Sequence, residues 1–123
     1  MIVQEQRRAE PSLPHIALAD CTVVIPTFNE RENIGALIPQ VLAWPRMRVL
    51  VVDDGSPDGT GELVRQLAAD EPRISLLARP GKQGLGRAYL AGFRRALAEG
   101  AEFIFEMDAD FSHDPSYLPA LLA

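Results

Sequence analysis

Phe103-Ile104-Phe105-Glu106-Met107-Asp108-Ala109-Asp110 is the stretch on which the fold turns. Its opening run is apolar and nearly unbroken rather than alternating, as a strand covered on both faces of a parallel sheet should be. It ends in two carboxylates one residue apart, and Phe111-Ser112-His113-Asp114-Pro115 reads as a turn into a helix. Carboxylates at the carboxyl end of an α/β strand point into the crevice where such sheets bind ligands. Two hard oxygen donors there, Asp108 and Asp110, suit Mg²⁺ or Mn²⁺, ions commonly shared with substrate phosphates. Taken alone, Asp-x-Asp is more often a solvated acidic turn, so the neighbouring sequence has to decide.

Three similar runs precede it. Thr22-Val23-Val24-Ile25 is apolar and β-branched, with Pro26 expected to stop it. Val49-Leu50-Val51-Val52 ends at Asp53-Asp54-Gly55, and Ile74-Ser75-Leu76-Leu77 is a shorter strand. Between the runs the apolar period becomes helical. Ile34, Leu37, Ile38, Val41 and Leu42 make one stripe, in which Pro39 should kink the helix or end its regular part early. Leu63, Val64 and Leu67 belong to a second helix, with Ser56-Pro57 resembling an N-cap and first helical position and Asp58 or Thr60 as competing caps. A third helix should carry Leu85, Tyr89, Phe93, Ala96 and Leu97 inward and end at Gly100. A final helix opened by Pro115 could turn Tyr117, Leu118, Leu121 and Leu122 inward. Strands alternating with helices of this length imply βαβ units: an α/β fold with a parallel sheet and flanking helices.

Residues 1–20 mix charge, Pro11 and Pro14 without a period and read as a flexible tail. The last strand is apolar on both faces with no later strand to cover its edge, and the sequence stops inside an apolar helix. The expectation is the front part of a larger fold, or a fold completed by another chain. The 123 residues suffice for one core, and 47% hydrophobic with 24% charged residues is ordinary for a soluble globular protein. A net charge of −5 argues against a nucleic-acid binder that works by phosphate neutralisation, yet allows a nucleotide bound through a divalent cation. Cys21, the only cysteine, rules out an internal disulfide and a cysteine zinc cluster, and is expected as a buried thiol. No signal-peptide core or membrane-length run is present. A cytoplasmic location is expected, with peripheral membrane association through other parts or a partner chain.

Parallel topology places the polar strand ends on one rim. In Pro26-Thr27-Phe28-Asn29-Glu30 an aromatic beside a carboxylate could stack on a base and accept its hydrogen bonds; equally, Asn29 could cap the following helix with Glu30 in its first turn. Asp53-Asp54-Gly55-Ser56, with Asp58-Gly59-Thr60 behind it, could meet a base edge, a ribose diol or a metal, or could be ordinary turn chemistry. In Arg79-Pro80-Gly81-Lys82-Gln83-Gly84-Leu85-Gly86, backbone donors at a helix N-terminus with Lys82 or Arg79 favour an anion. It is neither a Walker loop nor a dinucleotide fingerprint. Four clusters on one rim, three acidic and one basic, shift the odds toward a metal-dependent nucleotide-phosphate site.

These motifs, in this order, resemble family 2 glycosyltransferases. The full Asp53–Thr60 motif and Gly84-Leu85-Gly86 are most similar to the dolichol- or polyprenol-phosphate mannose synthases within that family, and the resemblance runs from Cys21 to Ala123. It implies a Rossmann-like nucleotide-sugar-binding sheet of the GT-A type, with residues 21–123 as its N-terminal part. It implies that Pro26, Phe28, Glu30, Val52 and Asp54 line the nucleotide pocket and that Asp108 and Ala109 flank the diphosphate or sugar. Asp110 would hold Mg²⁺ or Mn²⁺, with Asp108 and Asp110 as the catalytic carboxylates and Lys82 adding charge stabilisation. Ser112, where some relatives place Gln, is a further candidate metal ligand. Phe28 stands where many relatives have Tyr, which keeps stacking and loses a hydroxyl contact.

The implied reaction moves mannose from GDP-mannose to a dolichyl or polyprenyl phosphate with inversion. That acceptor, with a second pKa of about 6, is largely ionised at neutral pH and needs no strong base. His15 and His113 are therefore not required as one. The chain by itself is expected to be a donor-binding half-site with little or no transferase activity. The alternatives are another family 2 enzyme, either a glucosyl-phosphate-lipid synthase or a hydroxyl-acceptor transferase, and a non-catalytic partner domain.

Overall fold

β1 (Cys21–Thr27), β2 (Met47–Asp53), β3 (Ile74–Ala78) and β4 (Phe103–Glu106) alternate with α1 (Arg31–Leu42), α2 (Thr60–Asp70) and α3 (Leu85–Ala98). A computed structural model describes residues 21–110. The expected tail, Ser112, His113 and the helix expected from Pro115 lie outside the described residues. The strands pair in the order β3-β2-β1-β4, all parallel, with Cys21–Thr27 opposite Met47–Asp53 and Cys21–Val24 opposite Phe103–Glu106.

Successive side chains along a strand point to opposite faces, so runs apolar at every position supply two cores. Val23, Ile25, Val49, Val51 and Phe105 pack with Ile34, Leu37, Ile38 and Val41 of α1 and Val64 of α2. Val24, Leu50, Val52 and Ile104 pack under α3 with Ala88 and Ala96. The winding direction reverses between β1 and β4, and a doubly wound sheet opens its ligand crevice at that reversal, outside the strand carboxyl ends. Thr27-Phe28 and Met107–Asp110 are thereby brought side by side.

Several local expectations are corrected. β1 continues through Pro26, which sits opposite Val52. Val24 O accepts Met107 N–H at 3.0 Å, whereas Thr27 O accepts Asp54 N–H at 3.1 Å. Residues of one parity face β4 and those of the other face β2, so Pro26 turns its missing N–H to the β4 side, beyond the last paired β4 residue. β4 is shorter than expected, ending at Glu106 rather than reaching Asp108. α1 runs through Pro39 to Leu42, and Ala43 N–H still closes on the Pro39 carbonyl at 3.0 Å. Buried Ile34, Leu37, Ile38 and Val41 on both sides of the proline hold the turn its missing donor weakens.

α2 begins at Thr60, behind a left-handed Gly59 at φ 89°, and not at Ser56-Pro57, because the Ser56 hydroxyl is engaged elsewhere. α3 lies on the sheet through the small residues Ala88, Gly92 and Ala96. A Cβ on Gly92 would stand 2.4 Å from Val24 Cγ1. This close seat leaves Leu85 and Leu97, both expected inward, 57% and 55% exposed, with Tyr89 and Phe93 partly buried on the flank. Gly100, at φ 91°, ends the helix as expected: its N–H bonds Leu97 O and Ala101 N–H bonds Ala96 O, each at 3.0 Å, a Schellman pair. Among the described residues no helix is long and apolar enough to cross a membrane.

Candidate active site

The rim is built by tying two loops together. Buried Asp53 accepts the Thr27 hydroxyl at 2.7 Å and the Ser56 hydroxyl at 2.6 Å on Oδ1, and Ser56 N–H at 3.1 Å on Oδ2. Asn29, left-handed at φ 57°, donates its N–H to Ser56 Oγ at 2.8 Å and accepts Asp58 N–H on its amide oxygen at 3.3 Å. Asn29 is therefore not the cap of α1. The N-cap residue is Glu30, which makes no side-chain cap bond. The first α1 donor, Arg31 N–H, is instead accepted from across the gap by Asp58 Oδ2 at 3.1 Å. Asp58 Oδ1 also accepts the Thr60 N–H at 3.0 Å and the Thr60 hydroxyl, and Thr60 Oγ1 accepts Glu30 N–H at 3.1 Å. One carboxylate thus organises the starts of α1 and α2 together, which a search for caps within each helix could not reveal.

Burial opposes ionisation of Asp58, but the Thr60 hydroxyl, the Arg31 and Thr60 N–H groups and the Arg31 charge outweigh it and hold the carboxyl below its ordinary value of 3.8. A lowered folded-state pKa contributes stability that is present above the unfolded value and lost as pH falls through the folded one. Asp58→Ala should cost about 1 kcal/mol at pH 7 in urea unfolding, the usual scale of a lost cap. The gap to the unmodified chain should narrow as pH is lowered below 3.8. A gap independent of pH would show that the charge on Asp58 does not matter.

Between the ends of β1 and β4 lies an open crevice of about 310 Å³, lined by Pro26, Phe28, Glu30, Asp54, Lys82, Asp108, Ala109 and Asp110 together with Thr27, Gly84, Leu85 and Ala88. Of the residues expected to form a site, Val52 is not on this wall: its side chain is fully buried in the layer under α3. Ser112 lies outside the described residues. Asp53, the neighbour of Asp54, is consumed by the loop tie just described.

Four carboxylates and one ammonium face the crevice. A diphosphate placed among those carboxylates would be repelled by them, and a cation between them would relieve that repulsion. Asp108 and Asp110 offer hard oxygen donors, and Mg²⁺ is typically held by one or two carboxylates, with water and substrate phosphate completing its shell. The donor set fits such an ion. Among the described residues no group of three or more His, Cys, Asp or Glu gathers into an all-protein cage.

Lys82 Nζ lies 4.9 Å from the centre of the Phe28 ring, joining the glycine-rich loop to the β1 loop by a cation–π contact. Gly84 and Leu85 bring the N-terminus of α3 to the crevice. Its first turn carries no acidic residue, whereas Glu32 and Glu62 occupy those of α1 and α2. Arg79, expected as an anion binder, is instead committed within the protein: Nε lies 3.3 Å from Asp54 Oδ1, and Nη2 donates to Gln83 Oε1 at 2.8 Å. The contact with Asp54 is ionic and poorly aligned, leaving Asp54 Oδ1 and Arg79 Nη1 buried without hydrogen bonds.

Tyr89, expected only as part of an apolar face, has a second role. Its ring packs in the α3 layer while its hydroxyl donates to Asp108 Oδ1 at 2.5 Å. Burial, and then the Asp108 carboxylate, push the phenol far above its ordinary range, so it remains a donor.

A doubly wound sheet with an acidic crevice at its reversal point, a cation-bearing glycine loop and paired carboxylates after β4 defines an α/β protein with a candidate ligand site at its strand ends. Residues 22–123 match the Glycosyl transferase family 2 profile, and the chain belongs to that family. It is 53% identical to the polyprenol monophosphomannose synthase of Mycolicibacterium smegmatis, over 81% of this chain and 38% of that protein. It is 49% identical to the undecaprenyl-phosphate mannosyltransferase of Micrococcus luteus, over 80% of this chain and 41% of that one. The chain thus spans about two fifths of the length of these relatives. A mannosyltransferase of Pyrobaculum calidifontis, solved with GDP-Man and Mn²⁺, superposes with a TM-score of 0.67 at 26% identity, over 84% of this chain and 31% of that one. Glucosyl-3-phosphoglycerate synthase of Mycobacterium tuberculosis shares the fold, with a TM-score of 0.62 at 21% identity over 92% of this chain and 42% of that one.

Proposed function

We propose that this chain is the donor-binding part of a mannosyltransferase that takes GDP-mannose and delivers mannose to a polyprenyl or dolichyl phosphate. The observation that carries the reading is the crevice itself, which the Asp108/Asp110 pair lines together with Phe28 and Lys82 at the β1–β4 reversal. The polyprenol monophosphomannose synthase and the undecaprenyl-phosphate mannosyltransferase, each at about half identity, support the sugar and the acceptor class. The Pyrobaculum enzyme, solved with GDP-Man and Mn²⁺, supports the donor and a divalent ion.

In this reading Phe28 stacks on the base, and Glu30 and Asp54 accept hydrogen bonds from base or ribose. Lys82 leaves the Phe28 face to meet phosphate, and Asp108 and Asp110 hold Mg²⁺ or Mn²⁺. Bound there, the ion would act as a Lewis acid that neutralises charge on the departing diphosphate. The α3 N-terminus and Lys82 add preorganised positive potential at the same place. The bond from the mannose anomeric carbon to GDP breaks with its electron pair leaving on GDP, and an acceptor phosphate oxygen bonds to that carbon from the opposite side. The acceptor is already an anion, so no side chain needs to take a proton. A polyprenyl phosphate resides in a bilayer, which implies peripheral contact with a membrane.

Thermal stabilisation with Mn²⁺ and competing donors tests the reading. GDP-mannose should raise the melting temperature with Mn²⁺ more than without it, and more than UDP-glucose does. Preference for UDP-glucose would move the assignment to a glucosyltransferase. No response to any nucleotide sugar would sink it.

A further inference from the structure

Asp108 is the crevice carboxylate whose position is set from another layer of the fold. It follows β4, in a segment held to β1 by the bond from Met107 N–H to Val24 O at 3.0 Å. That bond holds only the backbone, so rotation of the carboxylate is left to its side-chain partners to restrain. Tyr89 opposes that rotation. It stands one turn into α3, partly buried and packed against the cluster that holds Val24, Leu50, Val52 and Ile104, and its hydroxyl reaches Asp108 Oδ1. A ring fixed by packing has few rotamers, so the hydroxyl is a rigid donor. The close seat of α3 at Gly92, one turn further on, fixes how far that hydroxyl extends.

We propose that Tyr89 is a positioning residue for the cation: it orients Asp108 so that Asp108 and Asp110 meet one divalent ion together. The inference rests on the donor-site reading above. It adds to it a residue on the helix after the glycine-rich loop, through which that loop and the paired carboxylates are mechanically linked. Partners that orient a metal-binding carboxylate typically change metal affinity by about 10- to 100-fold when removed.

The test is Tyr89→Phe, which keeps the packed ring and deletes only the donor. Mn²⁺ binding is followed by electron paramagnetic resonance in the presence of GDP, and GDP binding in EDTA is followed by calorimetry. The expected result is a loss of about tenfold or more in Mn²⁺ affinity, with GDP affinity in EDTA and the melting temperature nearly unchanged. A merely structural role would lower the melting temperature and both affinities together, and that result would overturn the proposal. Mn²⁺ affinity equal to that of the unmodified chain would overturn the role of Tyr89 while leaving the donor-site reading intact. An unmodified chain that binds GDP with no Mn²⁺ enhancement would overturn the donor-site reading and this inference with it.

Discussion

Asp110→Asn is expected to separate the two halves of donor binding that the unmodified crevice couples. With Mn²⁺ present, the variant should bind GDP-mannose about 100-fold more weakly than the unmodified chain, since a divalent ion at a diphosphate contributes several kcal/mol and each 1.4 kcal/mol is tenfold. In EDTA the order should reverse. Without the cation the diphosphate meets the bare carboxylates of the crevice, and Asp110 is an exposed one among them. Removing one negative charge a few ångströms away relieves about 1 kcal/mol in a largely aqueous setting, or roughly a fivefold gain in metal-free affinity. Asparagine keeps the size of the side chain, so melting in EDTA should not change. Calorimetric titration with and without Mn²⁺ reads both effects. Retention of the full Mn²⁺ enhancement by the variant would remove Asp110 from the metal site.

Much of the fold was legible because it depends on patterns with a fixed period. Unbroken apolar strands alternating with helices point to a parallel sheet, and the Asp108/Asp110 pair at the end of β4 falls on the crevice that such a sheet creates. What could not be read depends on distances across the fold. Leu85 and Leu97 have the spacing of inward residues, yet the stripe that touches the sheet is Ala88, Gly92 and Ala96. Helical periodicity scores side chains by hydrophobicity, whereas the seat of α3 was chosen by smallness. Asp53 and Asp54 are adjacent and chemically identical, but alternation sends one into the loop tie and the other to Arg79 and the crevice. Asp58 looked like a cap for its own helix; it does meet that helix at Thr60, and it is also the acceptor for the start of another. Tyr89 had a detectable signal, a tyrosine among the apolar residues of a helix. A buried phenol needs a partner, but nothing local in the sequence points to Asp108 as that partner.

The largest effect on the fold should come from Gly92→Ala. The added Cβ would lie 2.4 Å from Val24 Cγ1 and 2.9 Å from Val52 Cγ2. Carbon atoms pack best at about 3.5–4.0 Å, so the first contact is more than 1 Å too close. Both valines are fully buried in central strands and stiff about their first side-chain bond, so neither can swing aside cheaply. Overpacking of this kind costs about 1–3 kcal/mol and occasionally more, against a gain of about 1 kcal/mol from alanine's better helix propensity. With the overlap at the severe end of that range, the net loss should be about 2 kcal/mol, or about 10 °C in melting temperature for a domain of this size. Adding Val24→Ala should open room for the new methyl, so the double variant should be more stable than the sum of the singles by about 1–2 kcal/mol. Simple additivity would mean that the chain relieves the contact by another route. The relief available to Gly92→Ala alone is for α3 to lift from the sheet, and Tyr89 lifts with it. At temperatures where the variant is still folded, Mn²⁺ enhancement of GDP binding should therefore fall while metal-free binding changes less. The Val24→Ala partner should restore it, because the methyl that lowers stability and the hydroxyl that holds Asp108 are carried by the same rigid helix.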